Sequence, residues 1–492
     1  MRHDARMSLP PDDVCHRAFS TRDSRFDGRI FVGVTSTGIY CRPICPAKTP
    51  KRENCRFFPS AAAAQSAGFR PCLRCRPEIS PDAAAWRGTS NTISRALSLI
   101  AEGGFDGEAG VGALAAKLGI GERQLRRLFD KHLGAPPIAV AQTRRILFAK
   151  QLIQDSALSM SAVAEASGFR SVRRFNDAFR KLYGRTPSDL RRLRAHAHSA
   201  VTLKLGFRPP YDWDAILDFL AARAVAGVEL IERDRYARTI EIGAAVGGIS
   251  IAPGRGHLQV AIRFPDTRAL LGIVARLRRL FDLDADVEAI GRHLAADSAL
   301  APLIARRPGL RTPGGWDGFE LAVRAILGQQ ITVTAARKLA CKLSALTSPV
   351  LAADITGEER LTALFPTPVR LANANLVNIG MPAARIASLK GLAQAALADP
   401  ALLDPAGTYE EAVERLLALP GFGPWTAQYW ALRALRDSDA FPAADVALLR
   451  AVATNGKRPT PKALLERAEA WRPWRAYAAQ HLWAHDGARA IG

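Results

Sequence analysis

Two closely spaced cysteine pairs, Cys41-x3-Cys45 and Cys72-x2-Cys75, constrain the start of this chain more than any other feature. Six of the seven cysteines fall within the first 75 residues. The total is odd, and the first 13 residues carry charge but no apolar stretch, so no signal peptide is expected. A reducing compartment follows, in which thiols meet metals rather than pair as disulfides. A short-spaced pair brings two thiolates to one ion, and two such pairs complete a tetrahedron. Four soft thiolates select zinc over hard cations. Spacing alone leaves open whether the ion only staples a small domain or takes part in chemistry. The remaining length of the 492-residue chain exceeds what one core can bury, so two to four domains are expected. No apolar run reaches the ~18–20 residues of a membrane span, so a cytoplasmic, nucleoid-associated protein is expected.

Charge points to the partner. The chain carries 68 Lys+Arg against 46 Asp+Glu, a net +22. Residues 1–200 hold 33 and 17 of these, net +16, and residues 201–492 hold 35 and 29, net +6. Arg and Lys displace the counterions condensed on phosphates, so nucleic acid is the leading partner. A compositional preference for Arg and Ala accounts for part of the total and for less of the asymmetry.

The residues around the cysteine pairs read S-T-G-I-Y-C-R-P-I-C (36–45) and A-G-F-R-P-C-L-R-C-R (67–76). They resemble the methyl-sensing N-terminal domain of the Ada family of alkylation-response regulators, over roughly residues 10–80. The resemblance implies one zinc ion on Cys41, Cys45, Cys72 and Cys75. It also implies that Cys41 takes a methyl group from a DNA phosphotriester. Zinc keeps a sulfur in its nucleophilic thiolate form. Methylating one sulfur removes a unit of negative charge from a centre that is formally 2−, which favours DNA binding. Cys15 and Cys55 stand outside the pairing as bystanders.

From 91 to 194 the pattern is helical, and one design occurs twice. Residues 111–118 lead through Gly119 to a basic amphipathic helix at 122–132. Residues 160–166 lead through Ser167-Gly168-Phe169 to a second one at 171–182. An apolar helix, a Gly turn and a basic helix outline a helix-turn-helix. Leu125, Leu128 and Phe129 are the expected buried stripe of the first, and Phe175, Phe179 and Leu182 of the second. Arg123, Arg126, Arg127, Arg173 and Arg174 then face outward, either as a solvated face or as DNA contacts. The stretch S-G-F-R-S-V-R-R-F-N-D-A-F-R-K-L-Y-G-R-T-P resembles the AraC-type pair that follows the sensing domain in Ada proteins. A polar linker is expected from 188 to 200.

The C-terminal part opens with alternating segments at 201–207, 239–242, 249–251 and 257–264, which read as strands of an antiparallel sheet, with a helix at 213–225. Beyond 316 the chain reads as helical. Residues 416–435, L-L-A-L-P-G-F-G-P-W-T-A-Q-Y-W-A-L-R-A-L, describe a helix ending at Pro420, a Gly421-Phe422-Gly423 turn and a new helix from Pro424. Such glycines let backbone N–H groups converge on a phosphate. Asp445 follows 22 residues after Gly423 and reads locally as an N-cap. A hairpin followed by such an aspartate resembles the helix-hairpin-helix DNA glycosylases. The match to AlkA-type 3-methyladenine glycosylases runs from about 201 to 490, through P-P-Y-D-W (209–213), F-L-A-A-R-A-V (219–225), A-I-L-G-Q-Q (325–330) and W-R-P-W-R-A-Y (471–477).

That resemblance implies Asp445 as the catalytic carboxylate. It implies Phe219, Trp425, Tyr429 and Trp483 as the aromatic pocket, with Tyr211 added to the substrate set. Gly421 and Gly423 become the phosphate-gripping turn, and Gln330 the residue wedged into the DNA gap, where relatives carry an apolar side chain. A monovalent cation at the hairpin is also implied. Trp425 stands where lyase-active relatives have a Schiff-base Lys, so a monofunctional enzyme is expected. Only Cys341 lies past residue 75, which excludes a four-cysteine iron–sulfur cluster there.

The expected architecture is therefore multidomain and mainly α. It comprises a small Zn(Cys)4 α/β domain (10–82), an all-α double helix-turn-helix (88–195), an α+β antiparallel-sheet domain (201–312) and an all-α helix-hairpin-helix domain (313–490). The expected partners are alkylated and promoter double-stranded DNA and RNA polymerase, with no membrane. The alternative is a sequence-specific regulator whose glycosylase half only binds damaged DNA.

Overall fold

The structure is a computed structural model that describes residues 9–81, 91–102, 105, 109–191, 200–403, 409–454 and 456–489. The expected linker falls largely on 192–199, and the first domain boundary on 82–90, both outside the described residues.

Near the N-terminus, strands Cys55–Phe58, Phe31–Val34, Ile39–Cys41 and Arg70–Pro71 lie side by side in that order; the last pair is parallel. Helices Asp12–Ser20 and Ala61–Ser66 pack on this sheet. Among the described residues, seven helices follow, from Asn91–Ala101 to Pro187–Leu190. The first basic helix is Glu122–Leu133, with Gly134 at φ +65° ending it; the second is Val172–Tyr183, capped by Ser171 and ended by Gly184 at φ +64°. Their buried stripes are Leu125/Phe129/Leu133 and Phe175/Phe179/Tyr183. Leu128 and Leu182 are only half-buried, because each helix uses i, i+4, i+8 and buries its last residue at the cap.

A five-stranded antiparallel sheet comes next, ordered Val201–Gly206, His257–Arg263, Ala245–Gly254, Arg235–Ile242 and Glu229–Glu232. The edge strand Glu229–Glu232 escapes a hydropathy reading because all four residues are half-buried, with no alternation. The helix after the first strand is Trp213–Ala221, shorter than expected. From Gly318 onward the described residues are mainly helical. The first hairpin helix, Tyr409–Leu417, stops before Pro420, whose ring disfavours helical geometry at Leu419.

The helical N-terminal part and the sheet that follows it share a core. Ile146, Leu152, Ile153, Phe175 and Phe179 join Leu203, Leu205, Ile216 and Val260 in one apolar cluster. Gly206 is required there, since a Cβ would lie 1.9 Å from Ile79 O. Arg208, almost fully buried, donates from Nε to Asp27 O at 2.8 Å, and Arg29 pairs with Asp286 at 2.5 Å.

The sheet is tied to the helical part by a buried quartet. Glu320 on helix Gly318–Leu327 accepts from Arg238 at 2.7 Å and from Arg324 at 2.9 Å, and Arg324 also reaches Glu229 at 2.6 Å. Burial raises the Glu320 carboxyl, but the two guanidinia outweigh it and hold it down at about 2. Glu320→Gln leaves the guanidinia without their shared countercharge, and a loss of ~3–5 kcal/mol in denaturant unfolding is expected. The folded-state value lies below the ~4.3 of an unfolded Glu, so this contribution is complete above that pH and fades as pH falls towards 2.

Candidate zinc centre and base-binding cavity

The four cysteines meet at one point. Cys41 and the Cys45 turn come from the end of strand Ile39–Cys41, and Cys72 and Cys75 from the turn after Arg70–Pro71. All four Sγ atoms lie within 4.8 Å of one another, with Cys45 and Cys72 at 4.0 Å. A tetrahedron of ~2.3 Å Zn–S bonds has edges of about 3.8 Å, so the set fits zinc. Backbone N–H groups support the sulfurs: Arg42 N donates to Cys75 Sγ at 3.3 Å and Arg74 N to Cys72 Sγ at 3.4 Å. The Arg42 side chain, nearly fully buried, pairs with Asp27 and donates to Cys75 O at 3.1 Å. Cys15 lies apart, bonded to Pro10 O at 3.2 Å, and burial is the main cause that pushes its thiol up to about 11. Cys55 is also outside the cluster.

Arg123, Arg126, Arg127, Arg173 and Arg174 are all exposed on the two basic helices. Arg126 lies 3.7 Å from Glu122, an exposed pair of the kind worth little.

In the C-terminal half, a cavity of about 1560 Å³ gathers Phe219, Trp425, Tyr429, Asp445 and Trp483, with Gly421, Gly423 and Gln330 also on its lining. Asp445 caps helix Val446–Ala451 by accepting from Ala447 N at 3.0 Å and Leu448 N at 3.1 Å. The same carboxylate accepts from Trp425 Nε1 at 2.8 Å and Trp483 Nε1 at 3.0 Å. The capping role and the placement in the cavity therefore belong to one side chain. Trp425 and Tyr429 stack at 5.3 Å and 9°, and Trp483 meets Tyr429 edge-on at 6.1 Å.

Tyr211 is not with them. Its hydroxyl donates to Phe281 O at 2.7 Å and its ring lies 4.4 Å from Phe207, outside the cavity lining.

Three features of the cavity were not foreseen. Arg433, on the π-helical turn Ala431–Leu435 that continues the second hairpin helix, places its guanidinium 4.4 Å from the Phe219 ring, 5.5 Å from Tyr429 and 5.2 Å from Trp483. Burial brings this guanidinium down to about 10. Arg223 lies 3.8 Å from the Phe219 ring. Burial pushes the Tyr429 phenol up, but Arg433 and Arg223 outweigh it and bring the phenol below its ordinary value. The signal was available: Trp425, Tyr429 and Arg433 recur at i, i+4, i+8, and Phe219 and Arg223 at i, i+4. The third feature is Gln329, whose amide donates to Gly421 O at 2.7 Å and Thr426 Oγ1 at 3.0 Å, tying the wedge loop to the hairpin. Gly421 itself, at φ +85°, has no room for a Cβ, which would lie 2.1 Å from Ser388 Oγ.

Gln330 is exposed at the cavity mouth in the left-handed region, φ +57°. If Gln330 is the wedge that the resemblance implies, Gln330→Ala is expected to slow base release from methylated duplex DNA on the order of tenfold, because a filled gap offsets part of the few kcal/mol of unstacking. A rate equal to wild type would remove Gln330 from the flipping step.

Known proteins match this arrangement segment by segment. The metal-binding domain of Ada matches residues 14–78, a helix-turn-helix domain residues 114–193, and the AlkA N-terminal domain residues 202–317. A probable bifunctional transcriptional activator/DNA repair enzyme AlkA of Mycobacterium tuberculosis is 43% identical over 478 residues, covering 95% of this chain and 95% of its own. The chain belongs to that family of AlkA-type bifunctional proteins. The DNA-3-methyladenine glycosylase 2 of Escherichia coli is 37% identical over 293 residues, 58% of this chain and 97% of its own. The 3-methyladenine DNA glycosylase of Archaeoglobus fulgidus shares the fold of the repair half, with a TM-score of 0.52 at 21% identity, over 59% of this chain and 99% of its own.

Proposed function

We propose that the chain is a bifunctional alkylation-damage response protein. It hydrolyses the N-glycosidic bond of 3-methyladenine and related alkylated bases in DNA. It also accepts methyl groups from DNA phosphotriesters on Cys41, and so regulates transcription. The observation that carries the first activity is Asp445, a carboxylate clamped by four N–H donors at the wall of an aromatic cavity.

An alkylated purine is cationic and leaves readily, so little general acid is needed. The enzyme must extrude the base, hold it, and stabilise the positive charge that develops on the sugar. One fixed carboxylate suffices for this, where a poor leaving group requires two. Trp425 and Tyr429 offer stacked faces for the base, at ~0.5–2 kcal/mol per cation–π contact. The Gly421–Gly423 turn, held by Gln329, offers backbone N–H groups to a phosphate of the extruded strand. A monovalent cation at this turn belongs to the same proposal, supported by the resemblance of the hairpin. Trp425 in place of a Schiff-base Lys makes the enzyme monofunctional. Borohydride trapping on abasic DNA should therefore yield no covalent adduct, and a trapped adduct would contradict it. An engaged Asp445 favours an active enzyme over a half that only binds damage. The test is free 3-methyladenine released from methylated duplex, and a wild type that releases none would leave only the binding role.

In the sensor, Cys41, Cys45, Cys72 and Cys75 would hold zinc, which supplies a thiolate at neutral pH when bound. Cys41 Sγ attacks the methyl carbon, the methyl–oxygen bond breaks, and its electron pair leaves on a phosphodiester anion. The exposed arginines of both basic helices bind promoter DNA, with RNA polymerase as the proposed partner of the regulator. A cytoplasmic location accords with these substrates, and no helix among the described residues is long and apolar enough to cross a membrane.

A further inference from the structure

The zinc centre has an open side, and the second helix-turn-helix unit builds part of it. A cavity of about 460 Å³ lies against Cys41 and Cys72, while Cys45 and Cys75 do not line it. That volume suits a phosphotriester and its flanking groups. Lys48, Arg70 and Arg74 line it from the zinc domain, and Arg185 from the turn that follows the second basic helix. None of these four cations forms a salt bridge with a described residue, although Arg185 is near enough to Asp189 to help hold that carboxyl below its ordinary value, after the hydrogen bonds from Thr186.

The backbone that carries the exposed Arg185 is held in place from both sides. Tyr183 before it and Leu190 after it are buried, and both line the same cavity. Gly184 turns the chain at φ +64°. Thr186 and Asp189 form a reciprocal capping box, with Asp189 Oδ2 accepting from Thr186 N at 2.9 Å and Thr186 Oγ1 accepting from Asp189 N at 3.3 Å.

We infer that Arg185 is a phosphate-binding residue of the methyl-acceptor site, so that the site is composite, built from the sensor and the second reader unit together. This rests on the proposed role of Cys41. As Cys41 Sγ takes the methyl carbon, negative charge gathers on the departing phosphodiester oxygens. A guanidinium without a salt bridge beside them stabilises that charge, and a charge-assisted contact is the strong kind. The helix that carries Arg173 and Arg174 ends at this same turn, so the reader touches the site where the signal is written.

The test uses full-length, zinc-loaded protein and the methyl phosphotriester of a thymidine dinucleotide, too small to span the recognition helices. Arg185→Ala should slow methyl transfer about tenfold, which is about 1.4 kcal/mol. It should also weaken binding of the methylphosphonate dinucleotide, which has no methyl to give away. Zinc content and 3-methyladenine release should match wild type, and Arg185→Lys should recover part of the rate. Wild-type transfer and binding by Arg185→Ala would overturn the inference, placing Arg185 among duplex contacts or as a countercharge to the thiolates. Absence of transfer by wild type would instead overturn the acceptor role of Cys41, and this inference with it.

Discussion

Asp445→Asn is expected to abolish release of 3-methyladenine, with kcat down by at least about a hundredfold, the scale set by losing one preorganised electrostatic contact. The replacement is nearly isosteric, and Asn caps a helix about as well as Asp, so helix Val446–Ala451 should persist. What is lost is the charge. The donors of Trp425 and Trp483 remain, now facing a neutral amide, half of which is itself a donor. Trp425 and Tyr429 still stack, so binding of methylated DNA should hold while kcat falls. Single-turnover kinetics on methylated duplex separate the two. Equal rates for wild type and variant would remove Asp445 from catalysis.

Loss of methyl acceptance in Cys41→Ala is expected to be complete, because the attacking atom is gone. Removing a ligand also endangers the zinc domain, so the decisive measurement is made on wild type. After reaction with phosphotriester DNA, peptide mapping should place S-methylcysteine at Cys41. Cys41 and Cys72 both line the acceptor cavity, and modification of Cys72 instead would contradict the assignment. Methylation removes one negative charge from a centre that is formally 2−, so DNA affinity should rise and the gain should shrink with salt.

The parts legible in the sequence are those whose geometry is set by neighbours along the chain. Cysteines three and four positions apart converge wherever the strand places them, and the four sulfurs do converge. A Gly-Phe-Gly turn between helices can bend in few ways, and Gly421 adopts a positive φ there. Arg433 was equally readable, one helical turn beyond Tyr429, but a single Arg among apolar residues carries no signal of the rings it meets. Contacts between distant residues left no such trace. Gln329 and Gly421 are 92 positions apart, Arg208 and Asp27 181. Nothing in a single sequence shows that Gly206 must be small because the zinc domain's backbone presses on it. Tyr211 shows the converse: motif membership suggested a role at the base, while its hydroxyl is spent on Phe281 O.

The net +22 divides along the same line. Under the proposed function, the N-terminal part uses its arginines for phosphate and sequence contacts, and the C-terminal part takes a base through rings and one carboxylate. Two cations of the C-terminal part, Arg223 and Arg433, lie against rings in the cavity wall.

One chain carrying two separable chemistries is tested most directly on a single duplex bearing both 3-methyladenine and methyl phosphotriesters. Free base and protein-bound methyl are counted together for wild type, Asp445→Asn and Cys41→Ala. Wild type should give both products, Asp445→Asn only bound methyl, and Cys41→Ala only free base. A wild type lacking either product, or an Asp445→Asn that still frees the base, would contradict it.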